Sequence, residues 1–173
     1  MKKIIYMLFL VIAVSGSVYA TNNYMLSKPL NAVLESDARN IGIEIDSRYE
    51  KYVIPSVLVI NIKSIDDDKS PADVFRVLLQ YSNRIQEMDF DHVWLSSNGV
   101  KKFMLKGDYF KKLGVEYEYQ NPVYTMRTFP ENLYLPNGNR AFSSWSGGLL
   151  GVTKKQMEDF TEFHKRWYIE DML

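Results

Sequence analysis

Cysteine is absent from all 173 residues. That absence excludes disulfides, thiolate metal sites and the lipid attachment that an exported lipoprotein receives on a cysteine just after its signal. A domain of this composition holds together through its apolar core alone. Histidine is nearly absent too, with His92 and His164 the two in the chain. Neither a His-x-x-x-His pair nor a His-Glu-x-x-His sequence occurs, so the spacing that gathers zinc ligands on one helix face is missing, and neither metal nor cofactor is expected. Charge of one sign is not in excess, because 21 Lys and Arg balance 21 Asp and Glu. The doublets Lys101-Lys102 and Lys111-Lys112 read as solvated strand and helix positions, and no nucleic-acid partner is expected. Internal repeats and low-complexity tracts are also missing.

What is present begins with an address. Lys2 and Lys3 precede an apolar run from Ile4 to Val14, and the small residues Ser15, Gly16 and Ser17 lead to Val18-Tyr19-Ala20. Those three parts, in that order, are the layout of a cleavable secretory signal, with cleavage expected after Ala20. The stretch to Ala20 is interrupted by small residues and is shorter than the ~20 apolar residues of a spanning helix, so no transmembrane segment is expected after processing. The remaining chain, about 150 residues, is long enough to bury roughly two thirds of its unfolded surface as one domain. Residues 21–40 read as a lead-in with a short helix around Leu30 to Ala38, and residues 41–173 as a single domain.

Hydrophobic patterning sets the fold class. Ile41 to Ile45 alternates like a half-buried strand, and Val57-Leu58-Val59-Ile60-Asn61-Ile62 reads as a buried central strand. Ser70, Pro71 and Asp73 form a helix start, followed by the apolar stripe Val74, Leu78, Tyr81, Ile85 and Met88. Val93-Trp94-Leu95 and Phe103-Met104-Leu105 flank Asn98-Gly99, the strongest short-range hairpin signal. A short helix is expected from Tyr109 to Leu113, closed by Gly114 as a left-handed cap, then a strand from Val115 to Tyr119. Pro122, Pro130, Pro136 and several glycines punctuate a long loop region from Asn121 to Gly148. Thr153 and Gln156 match a capping box for a last helix carrying Met157, Phe160, His164, Trp167 and Tyr168 on one side. The expected architecture is an α+β sandwich of two layers, a mixed or mainly antiparallel sheet with two main helices at 71–88 and 154–170.

Candidate chemistry is sparse. His92 follows Asp91, but neighbours on a strand point to opposite faces. Asp66-Asp67-Asp68 lacks the spacing, glycine and distal glutamate of a calcium loop and reads as a solvated turn. Ser146 lies among serines and glycines, yet Ser144 stands where a nucleophile elbow needs glycine. The most informative composition is the crowding of Tyr117, Tyr119, Tyr124, Phe129, Tyr134, Phe142 and Trp145 around Arg127 and Arg140. Aromatic side chains with arginines are what recognition surfaces favour, and Tyr124, Arg127, Arg140 and Trp145 are the candidate binding residues. The function expected is that of an exported, non-catalytic protein that binds an envelope or extracellular protein or glycan. Two alternatives stand beside it: a small envelope hydrolase using Ser146 or a carboxylate with His164 or His92, and an inhibitor or immunity-type protein capping a secreted enzyme.

Overall fold

The sheet is built around the most apolar run of the chain after its N-terminal segment. In the computed structural model, which describes residues 2–172, that run lies in β2 (Ile54–Ile65), flanked by β1 (Ile43–Glu50) and β3 (His92–Ser97). The outer strand β4 (Val100–Lys106) completes the order β1-β2-β3-β4. β1 and β2 are antiparallel, β2 and β3 parallel, and β3 and β4 antiparallel, so the sheet is mixed. The β3–β4 hairpin turns at Asn98 (φ 48°) and Gly99 (φ 81°), the two left-handed positions that the Asn-Gly pair fills at least cost.

A parallel neighbour needs a crossover, and α3 (Pro71–Arg84) supplies it. Ser70 caps this helix through a reciprocal capping box with Asp73, and Pro71 occupies its first turn. Val74, Leu78 and Tyr81 of the stripe are buried, as is Ile85 just beyond the helix end. Behind the same face pack α4 (Gly107–Glu116) and α6 (Leu149–His164), the latter continuing through a π-turn at Lys165–Ile169 into α7 (Glu170–Met172). Leu58, Ile60 and Ile62 of β2, Val93 and Leu95 of β3, and Phe103 and Leu105 of β4 meet Phe75, Phe160, Phe163 and Trp167 of the helices in one core. The result is a two-layer α+β fold. On the opposite sheet face Lys101 Nζ lies 2.8 Å from Glu50 Oε1 and 4.5 Å from the Trp94 ring centre.

Several local expectations are corrected. Val115–Tyr119 is not a strand: α4 runs through Glu116, and Tyr117 is its C-cap. Gly114 is therefore no left-handed terminator. It is an interior helix position where a Cβ would come within 2.3 Å of the Ser82 carbonyl oxygen, so α4 can press against α3 only because a side chain is lacking there. The stretch read as loop contains α5 (Pro122–Thr128), whose first turn is capped by Asn121 through a 2.9 Å bond from the Val123 N–H. The last helix begins at Leu149, four residues before Thr153, with Gly148 as its N-cap.

The N-terminal segment is helical from the outset. α1 (Lys2–Asn22) passes through a π-turn at Asn23–Ser27 into α2 (Lys28–Ser36). The first part is exposed and apolar, and it fits a signal sequence. The second part belongs to the core, with Leu26, Leu30 and Val33 buried. At the junction, Asn22 ties the segment to the β1–β2 hairpin, donating to the Tyr52 carbonyl at 2.8 Å and accepting the Tyr49 N–H at 2.9 Å.

Candidate binding cleft

α3, α4 and α5 meet around an apolar cleft of about 300 Å³. Its floor is Phe75, Leu79 and Leu113, and Met126 and Tyr117 form walls. Helical periodicity explains the floor: Phe75 and Leu79 lie one turn apart on α3, beside the stripe that faces the sheet. α5 closes the cleft because Asn121-Pro122 starts a new helix just after α4 has ended, turning Thr125 and Met126 back toward α3.

The rim is charged but internally paired. Arg76 donates from Nη1 to Asp73 Oδ1 at 2.7 Å and from Nη2 to Asn40 Oδ1 at 3.1 Å. Arg39 forms a fork on Asp37, with Nε 3.0 Å from Oδ1 and Nη2 2.6 Å from Oδ2. The Ser70 hydroxyl, and with it the Ser70 N–H and Arg76, hold the Asp73 carboxyl down to about 2 against the opposing effect of burial. Hydrogen bonds from Arg39 hold Asp37 well below the usual carboxylate range. Near neutral pH both arginines thus face carboxylates that are fully ionised, and the rim makes little net demand for a charged ligand. An apolar floor inside a neutralised polar rim selects an apolar group and orients it by hydrogen bonds at the edge.

None of the four candidate binding residues from the sequence lines this cleft. Tyr124 is exposed on α5 and faces a neighbouring shallow hollow with Tyr109, Lys112 and Glu131. Arg127 spans from α5 to α6, donating from Nε to Gln156 Oε1 at 3.0 Å. Arg140 donates to the Glu131 carbonyl at 2.7 Å and stacks its guanidinium 5.6 Å from the Tyr134 ring centre. Trp145 donates to Asp159 Oδ2 at 2.6 Å, and Lys155 Nζ sits 4.2 Å from its ring centre. Arg127 and Trp145 thus tie their segments to α6, and Arg140 holds the intervening turn to Glu131 and Tyr134. Tyr117 is the member of the aromatic group that enters the cleft.

The residues considered for catalysis are not assembled into a site. His164 is fully buried among Phe75, Phe160, Phe163 and Trp167. Its Nδ1 meets Tyr168 Oη at 3.2 Å, and its Nε2 has no hydrogen-bond partner. Burial pushes this imidazole down to about 3, so it is neutral at every ordinary pH. Ser146 is exposed in the preceding loop, and its hydroxyl makes no bond to His164. His92 is exposed at the start of β3 beside Lys106. Among the described residues no group of three or more His, Asp or Glu is placed to hold a metal ion.

Sequence reasoning missed Arg39, Phe75, Arg76 and Gln120. The one available signal was the Asp73–Arg76 spacing on α3, which puts the two charges on one face. No family model, curated protein or solved structure matches the chain.

Proposed function

We propose that the chain is an exported, non-catalytic binding domain whose cleft between α3, α4 and α5 receives an apolar side chain of a polypeptide partner in the cell envelope or outside the cell. Export is directed by the apolar α1, with processing after Ala20. The observation that carries the binding reading is the cleft itself, with an apolar floor of Phe75, Leu79 and Leu113 and a rim whose arginines are already paired. Such a surface favours a Leu, Met or aromatic anchor over a sugar, whose hydroxyls would lose water against that floor without replacement partners. Nothing around the cleft supplies a nucleophile beside a base, and the hydrolase reading gains no support from a histidine sealed inside an aromatic cage.

The test places a photo-crosslinking residue at Gln120, on the rim, and irradiates cells exporting the protein. A discrete adduct is expected, and it should vanish when Ala72→Phe fills the cleft from the exposed end of α3 while far-UV circular dichroism shows the fold intact. An adduct pattern unchanged by Ala72→Phe would sink the reading.

A further inference from the structure

We propose that the β1–β2 hairpin end of the sheet is a phospholipid contact surface, which seats the domain against the bilayer for as long as α1 is attached. This proposal is independent of the cleft. The hairpin tip exposes Tyr52, Val53 and Ile54 at 53%, 62% and 37%. It does so at a backbone cost, since Lys51 (φ 50°) and Tyr52 (φ 66°) occupy consecutive left-handed positions, which L side chains disfavour and which Asn-Gly would fill at least cost. A bulky aromatic kept at such a position and half exposed, although stacked on Arg48, is a feature that a contact beyond the chain would explain.

The occupant follows from α1. Its apolar side chains from Ile4 to Ile12 are 52–72% exposed, and by length and composition the helix they lie on is of the kind that enters a bilayer, as a signal sequence does before it is removed. The hairpin tip adjoins the C-terminal part of that helix, where Val14, Val18 and Tyr19 share a groove with Lys51, Tyr52 and Val53. One apolar surface therefore runs from the helix onto the tip. Its height is fixed, because Asn22 is hydrogen-bonded to both Tyr49 and Tyr52. With α1 in hydrocarbon, Tyr19, Tyr52 and Lys51 come to the depth at which aromatic rings and snorkelling cations concentrate.

An anion contact stands beside them. Arg48 stacks its guanidinium 5.4 Å from the Tyr52 ring centre and leaves a buried Nη1 without a hydrogen-bond partner. It lines a small hollow with Tyr19, Asn23, Ser27 and the Asp46 carboxylate, whose Oδ1 accepts from Asn61 at 2.7 Å and whose charge the Arg48 guanidinium in the same hollow offsets. The guanidinium borders this hollow and stacks on the exposed Tyr52 ring, and its positive charge at this depth suits a headgroup phosphate. The opposite end of the sheet, where β2 leads into Asp66-Asp67-Asp68, carries negative charge and would be repelled by an anionic surface.

The cysteine-free sequence makes the test clean, since any introduced cysteine is unique. Purified full chain carrying Val53→Cys, labelled with an environment-sensitive nitrobenzoxadiazole dye, is reconstituted into phosphatidylcholine vesicles containing a lipid with a nitroxide at the headgroup level. Asp67→Cys reports on the far end of the sheet. The dye at position 53 should emit at shorter wavelength and be quenched by the nitroxide lipid, while the dye at 67 should be unaffected. Equal quenching at both positions would overturn the proposal. Adding Arg48→Gln should remove part of the quenching at position 53 in phosphatidylcholine but not in phosphate-free galactolipid vesicles. No change in either lipid would overturn the headgroup contact. Retained circular dichroism shows each variant to be folded, and because the readout does not involve the cleft, its failure is separate from failure of the binding reading.

Discussion

Protonation of His164 should make the protein markedly less stable in mild acid. The imidazole is fully buried in an aromatic cage whose one polar contact is Tyr168 Oη. An unfolded histidine titrates near 6.5, whereas burial lowers this one to about 3 when folded. Between those values the unfolded chain binds a proton that the folded chain refuses. Stability is therefore complete above pH 6.5 and falls with pH through the window toward 3, at a slope approaching ~1.4 kcal/mol per pH unit. From pH 8 to pH 5 the loss from this residue is about 2 kcal/mol. Asp73, held down to about 2 by Ser70 and Arg76, loses its contribution only as pH falls below the ordinary carboxylate range, outside that interval. Urea unfolding of the full chain in nonionic detergent, followed by tryptophan emission, measures the difference at the two pH values. His164→Leu keeps the cage filled and removes the proton site; it should be less stable than the parent at pH 8 through loss of the Tyr168 contact, with a pH difference smaller by about 2 kcal/mol. The same pH difference in parent and variant would refute the reasoning.

Asn22→Ala should cost about 1–3 kcal/mol in the same unfolding assay, because the Tyr49 N–H and the Tyr52 carbonyl both lose their partner. An unchanged midpoint would show that water replaces the side chain without penalty. Gly107→Ala should prevent stable folding, because its Cβ would lie 1.6 Å from the Phe90 carbonyl oxygen, whereas Gly151→Ala, with nothing within 4 Å, should leave the thermal midpoint unchanged or raise it. Equal melting behaviour of the two variants would contradict the packing described for the start of α4.

Much of the fold is legible in local chemistry. The Ser70-Pro71-Asp73 start, the Val74, Leu78 and Tyr81 stripe and the Asn98-Gly99 turn each have a mechanism that acts within a few residues, and each is present; the helix expected to reach 88 ends at Arg84, leaving Ile85 and Met88 packed beyond it. Val115–Tyr119 reads wrongly as a strand because alternation over five residues is equally compatible with one and a half turns of helix. α5 hides in the sequence because Asn121-Pro122 is punctuation in a loop and, equally, a cap followed by the residue best suited to a first helical turn. Of the aromatic and arginine crowding, Tyr117 enters the cleft, whereas Tyr124, Arg127, Arg140 and Trp145 do not line it. Composition alone does not say that Arg127, Arg140 and Trp145 spend their polar atoms on Gln156, Glu131 and Asp159.

By itself the sequence determined an apolar N-terminal segment of the kind that directs export, a cysteine-free α+β domain held by its core, the central strand and the two main helices. These follow from periodicity, capping and composition, which act over one or two turns of chain. The tertiary structure decided the rest. The cleft exists because Phe75, Leu113 and Met126 arrive from three helices whose approach depends on the missing side chain of Gly114. The seat of α1 on the hairpin depends on one amide, Asn22, reaching a strand some thirty residues away. Contacts of that range are set by how whole elements pack, and no local pattern encodes which side chain will meet which.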